Sequence, residues 1–194
     1  LSYLGTYSPD RQPVLEKLLL QPARLLPEKR FMVAGPQYPD DIDWPENVER
    51  ISHVAPAEHP SFYAASRWTL NVTRADMVKA GWSPSVRLFE AAACGTPILS
   101  DRWAGLDALF HPGREIIIAD STADVVAALT TLPEGRARAL GLAARARVLA
   151  AYEKARLWSL EHPGEVIAML AEATEMPMPG IARQRERTVL TGPV

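Results

Sequence analysis

A single cysteine, Cys94, stands among the 194 residues, which excludes an internal disulfide and a cysteine-rich metal site. It fits a reducing compartment, so the expectation is a cytoplasmic protein. No run of about 18 apolar residues occurs, so no transmembrane segment is expected, and the start lacks a signal-peptide pattern. There is no excess charge of either sign: 21 basic against 23 acidic residues leave a net charge of −2. That excludes the basic field that generic nucleic-acid binding needs. Two phosphate-binding signatures are also missing, GxGxxG and GxxxxGK[ST]. The chain is therefore neither a standard dinucleotide binder nor a P-loop protein.

What is present is a 47% hydrophobic chain, enough for a substantial core in one ordinary domain. Leu1 leads directly into the apolar "LSYLG", which reads as a strand entered in mid-protein and predicts a piece of a longer chain. "NVT" at 71–73 matches a glycosylation sequon, but the reducing compartment makes it an accidental match.

Short continuous apolar runs alternate with helical patterns. Strands are predicted at 1–5, 30–35, 48–52, 68–73, 97–100 and 115–119. A helix is predicted over 11–27, with Leu15, Leu18, Leu19, Leu25 and Leu26 on one side and Pro22 as a possible interruption. Shorter helices are predicted over 57–66 and 84–94. From Ser121 the chain reads as helical over 122–131, 134–151 and 153–171, with the last broken at "HPG" (162–164). Continuous apolar strands separated by helices indicate a parallel sheet covered on both faces, and right-handed crossovers make it Rossmann-like. The expected organisation is an α/β domain over 1–171, ending in helices, then an irregular tail over 172–194.

Ligands of open parallel sheets sit beyond the carboxyl ends of the strands. Four loops qualify. "LGTYSPDR" (4–11) offers Gly5 for a tight turn, hydroxyls on Thr6 and Ser8, and the cation of Arg11; the competing reading is an Asp-capped turn. "GPQYP" (35–39) reads as a proline-stiffened surface loop. The long loop 71–85 carries Arg74 and Lys79 and ends in "SPS", with Ser83 as helix N-cap and Pro84 at the first helical position. The free amides of that helix start form an anion seat. "SDRWAGLDAL" (100–109) places Asp101, Arg102 and Trp103 after another strand.

The helix following "SPS" has Val86, Phe89 and Ala93 spaced to face the core. Glu90 lies on the flank of that face, and Arg87 sits three residues before it. Two readings are open. The pair is a surface salt bridge worth a few tenths of a kcal/mol, or the carboxylate accepts hydroxyl protons from a ribose or sugar. Gly95 is expected to end the helix in the left-handed conformation.

The stretch "RLFEAAACGTPILSDRWAGLDALFHPGREI" (87–116) resembles the donor-binding segment of GT-B-fold group 1 glycosyltransferases. The likeness is strongest to the spore-maturation (CgeB-like) branch, and "GTYSPDR" (5–11) resembles the opening of that branch's C-terminal domain. The resemblance implies a nucleotide-diphosphate sugar as substrate, with no metal and no other cofactor. It implies that Glu90 binds the ribose and that the helix start from Ser83 through Ser85 to Arg87 faces the diphosphate. Gly5 and Thr6 would approach the phosphates, and Arg11, Arg74 and Lys79 would neutralise the leaving group. It also implies an N-terminal acceptor-binding domain outside this chain.

The chain departs from the group 1 pattern at Trp82, where an acidic residue that meets the sugar is common. A catalytically inactive nucleotide- or sugar-binding domain therefore stays open. So does an NDP-sugar 2-epimerase, although His53, His59, His111 and His162 are scattered along the chain. A response-regulator-like domain lacks its acidic cluster after the first strand.

Overall fold

The computed structural model describes residues 1–81 and 84–174. Ser83, expected to cap a helix, and residues 175–194 of the expected irregular tail lie outside the described residues. The chain divides into two compact units, Leu1–Leu149 and Ala150–Val194.

The first unit is built on six parallel strands: β1 (Ser2–Leu4), β2 (Phe31–Ala34), β3 (Val48–Ile51), β4 (Thr69–Asn71), β5 (Ile98–Ser100) and β6 (Ile117–Ile118). They lie in the order β3-β2-β1-β4-β5-β6. Both halves of the sheet therefore wind outward from the β1/β4 boundary. All three residues of β4 and of β5 are buried, as strands covered on both faces require. The helices are α1 (Gln12–Leu15), α2 (Gln21–Leu25), α3 (His59–Ala64), α4 (Ala75–Ala80), α5 (Val86–Ala93), α6 (Leu106–Leu109), α7 (Thr122–Thr131), α8 (Glu134–Glu161) and α9 (Pro163–Thr174).

The core forms on both faces of the sheet. Leu15, Leu18, Leu19 and Leu20 pack with Val125, Leu129 and Leu140 against Tyr3, Val33, Leu70 and Leu99. On the other face Leu88, Ala91 and Ala92 of α5 pack with Phe62, Tyr63, Phe110 and Ala144 around Ala34, Ile98 and Ile116. This is the Rossmann-like α/β architecture expected from the sequence.

Several elements differ in detail. The first helix is continuous past Pro22, because a π turn over Glu16–Leu20 joins α1 to α2. A proline inside a helix lacks an N–H and crowds the carbonyl four residues back, and the wider turn ahead of it takes up that misfit. The π turn also brings Leu18, Leu19 and Leu20 inward together, while Leu25, expected in the core, is 63% exposed.

In α5 the buried stripe is Leu88, Ala91 and Ala92, whereas Val86, expected to face inward, is 69% exposed. The helix begins at Val86 rather than Pro84, with Ser85 extended at the N-cap position (φ −71°, ψ 139°). Gly95 follows α5 at φ +72°, the left-handed backbone expected there.

The loop read as open over 71–85 contains α4. The carboxylate of Asp10 accepts a hydrogen bond from the Ala75 N–H at 2.8 Å, capping α4 from 65 residues away. The last helices also differ: α8 runs unbroken to Glu161, and the break falls at His162, with Pro163 opening α9. Taken alone, the second unit carries exposed Tyr152, Leu157, Leu160 and Met169, and Trp158 stacks on His162 with ring centroids 5.0 Å apart. No helix among the described residues is long and apolar enough to cross a membrane.

Candidate functional site

The winding direction reverses between β1 and β4, and open parallel sheets bind ligands at such a point. A cleft of about 580 Å³ opens there, on the carboxyl side of the sheet. Gly5, Thr6 and Arg11 enter it from the loop after β1. His53 comes from the loop after β3, His59 and Tyr63 from α3, Arg74 from the loop after β4, and Ser85, Arg87 and Glu90 from α5.

Arg87 straddles the reversal. Its Nε donates to the Leu4 carbonyl at the end of β1. Its Nη1 donates to Asn71 Oδ1 on β4 at 3.1 Å, with the Val72 carbonyl and Ser85 Oγ each at 3.4 Å. The guanidinium lies over the Tyr3 ring, 4.7 Å from its centroid. Arg87 is buried and satisfied by neutral oxygens. It makes no ion pair with Glu90, so the surface salt bridge between them does not form. The planar fork instead ties β1, β4 and α5 together, a use for which arginine is suited and lysine is not.

Glu90 turns the other way, toward α3. The Tyr63 hydroxyl donates to its Oε2 at 3.3 Å, and His59 Nδ1 lies 3.3 Å from its Oε1. Burial, and then the nearby Glu90 carboxylate, push the Tyr63 phenol well above its usual range, so it remains a hydrogen-bond donor. The Glu90 carboxylate is partly exposed to the cleft.

The loop after β1 is tied by side chains to its own backbone and to the neighbouring loop. Arg11 donates to the Thr6 carbonyl, while its buried Nε has no partner among the described residues. Tyr38, in the "GPQYP" loop, donates to the Gly5 carbonyl at 3.1 Å. Arg50 lies over the rings of both Tyr38 and Trp44, 4.0 and 4.3 Å from their centroids, in the corner the two rings form edge to face. That loop is thus a brace for the Gly5 turn. Arg74 is exposed at the N-cap of α4.

Lys79 is not brought to this cleft. It sits on α4, pairs with Asp76 at 3.7 Å, and lines a separate hollow with Asp101 and Arg102. Of the loop after β5, Asp101 is buried and Trp103 packs in the core, while Arg102 pairs with Asp120 at 2.8 Å. Burial raises the Asp101 carboxyl above its usual range, opposed by hydrogen bonds from the backbone and side chain of Thr73 and by the charge of Arg87.

His53, His59 and Tyr63 are cleft residues that sequence reasoning missed. The two histidines read as scattered, yet both line the cleft. The available signal was the spacing of His59 and Tyr63, which puts both on one face of a single helix.

The assembled cleft can do two things. The α5 start, with Arg11 and Arg74, offers N–H groups and positive charge to an anion. Glu90, about one turn farther along, offers acceptors to hydroxyls.

Comparison with solved structures gives the same fold. The chain is similar to sucrose-phosphate synthase from Thermosynechococcus elongatus, with a TM-score of 0.62 and 17% identity over 84% of this chain and 46% of that one. It is similar to the C-terminal domain of a group 1 glycosyl transferase (LpcC) from Francisella tularensis, with a TM-score of 0.60 and 13% identity over 78% of this chain and 85% of that one. It is also similar to Anabaena HepE in complex with UDP and glucose, with a TM-score of 0.59 and 14% identity over 76% of this chain and 42% of that one. It thus spans less than half of the first and third. These likenesses show the C-terminal half of a GT-B fold. No curated protein gives a significant sequence match. The glycosyl transferase-like family model matches residues 11–159, which takes in five of the six strands and all of α5, and on that match the chain belongs to this family.

Proposed function

We propose that the domain binds a nucleotide-diphosphate sugar and serves as the donor half of a glycosyltransferase, with the acceptor held by a second, N-terminal domain. The observation that carries this reading is the convergence of Gly5, Thr6, Arg11, Arg74, Ser85, Arg87 and Glu90 on one cleft at the sheet's switch point. Family membership and the UDP and glucose bound by HepE support it.

On this reading Glu90 accepts the ribose hydroxyls. The α5 amides, Thr6, Arg11 and Arg74 meet the diphosphate and stabilise the charge that develops on it as the sugar leaves, and no metal is invoked. Arg87 holds the cleft's shape rather than contacting the phosphates. Closure of the second domain over the cleft would exclude water and complete the site. The motifs of 5–11 and 87–116 favour the CgeB-like branch, and the lone Cys94 favours a cytoplasmic enzyme.

Calorimetric titration of the full-length protein with UDP, GDP, ADP and dTDP tests the reading. Binding of at least one is expected, and failure of all four would overturn it.

A further inference from the structure

Helix α3 presents two side chains one helical turn apart, His59 and Tyr63, to the single carboxylate of Glu90 on α5. Each oxygen of Glu90 has one of these neighbours at 3.3 Å. An ionised carboxylate accepts about four hydrogen bonds. One donor on each oxygen leaves about one acceptor position per oxygen, which is the number a vicinal diol requires.

We infer that His59 is a positioning residue for Glu90: its Nδ1–H donates to the carboxylate and holds it in place for the ribose. The inference rests on Glu90 being the ribose acceptor.

The groups facing His59 can be named. From α5 comes Glu90, with Arg87 on the same helix. The 3-10 turn at Pro56–Glu58 contributes Glu58, whose carboxylate is already engaged by the Ala55 N–H at 3.0 Å. His53 comes from the loop after β3, and Arg11 and Arg74 line the same cleft. Glu90 is the carboxylate in direct contact with the imidazole.

With its proton on Nδ1, the imidazole donates to Glu90 Oε1, and a hydrogen bond to a carboxylate is stronger than one between neutral groups. Loss of that donor frees Oε1 to turn away from the position the diol requires.

The test is calorimetric titration of the full-length protein with UDP, GDP, ADP and dTDP, following whichever binds most tightly. Two variants are compared with the wild type. His59→Asn keeps an N–H donor at the Nδ1 position; His59→Ala removes the donor. His59→Ala should bind about fivefold more weakly than wild type, and His59→Asn should stay within about twofold of it. A His59→Ala protein that binds like wild type, or a His59→Asn protein that binds as weakly as His59→Ala, would overturn this inference alone. A wild-type protein that takes none of the four nucleotides would instead overturn the nucleotide reading, and this inference with it.

Discussion

A methyl group on Gly5 would lie 2.6 Å from a terminal nitrogen of Arg87 and 2.7 Å from the Tyr3 hydroxyl. The guanidinium and the tyrosine ring beneath it fill the space that any other residue's Cβ would need. The turn after β1 and the buried arginine of α5 are therefore one unit, although 82 positions separate them in the sequence. Gly5→Ala should displace Arg87 and destabilise the fold by about 1–3 kcal/mol, typical of overpacking a filled site. Thermal denaturation measures this, and an unchanged midpoint would refute the coupling.

Replacing Arg87 by lysine tests the same unit from the other side. Lysine keeps the charge but is a point donor and cannot reach Leu4, Asn71 and Ser85 from one plane. Carbonyls and an amide that lose their donor in a buried setting cost about 2 kcal/mol together. Urea unfolding of Arg87→Lys should show that loss in the midpoint.

Glu90→Gln is the sharpest test of the proposed ribose contact. The amide keeps the shape but loses the charge and one of two acceptor oxygens. Nucleotide affinity should fall about tenfold, the loss of one charge-assisted bond. Because Glu90 is partly exposed, the thermal midpoint should stay close to wild type. A variant that binds as wild type does would remove Glu90 from the site.

Lys79→Ala serves as the contrast. Lys79 is exposed, pairs with the neighbouring Asp76, and lines a different hollow. Nucleotide affinity should remain within about twofold of wild type, the range of a surface charge outside the site. A larger loss would mean that α4 moves into the cleft on binding.

Asp101 gives a prediction in pH. Burial raises its carboxyl in the folded protein. A raised folded value means that the native state holds this proton more tightly than the unfolded chain does. The contribution of Asp101 to stability is therefore full below the unfolded carboxyl range and is lost as pH rises through the folded value. Asp101→Asn has no such loss. The midpoint of the variant relative to wild type should rise as pH goes from about 4 to about 7, followed by thermal melts. A relative midpoint that falls with pH would contradict the raised value.

Much of the fold was legible because parallel strands buried on both faces show themselves as continuous apolar runs. β2 is such a run, Phe-Met-Val-Ala, with Phe31, Val33 and Ala34 buried. The left-handed end of α5 was legible too, since only glycine enters that conformation readily. What stayed hidden depended on contacts between distant residues. α4 is capped by Asp10 from the first loop. The Gln12–Leu25 helix survives Pro22 through a π turn that no local propensity signals. The inward face of α5 was misjudged because Leu88, Ala91 and Ala92 are chosen by the sheet beneath them, not by apolar character alone.

The site divides along the same line. The residue types and their order around "SPSVRLFE" were enough to mark a helix start suited to an anion and a carboxylate suited to hydroxyls, because both properties are local to one helix. The roles of Arg87 and Glu90 were not settled by their three-residue spacing. Spacing allowed them to pair with each other, and the folded chain offers each a better partner: strand-end carbonyls and an amide for Arg87, His59 and Tyr63 for Glu90. Those partners come from β1, β4 and α3, which meet only when the crossovers have wound the sheet outward from its middle.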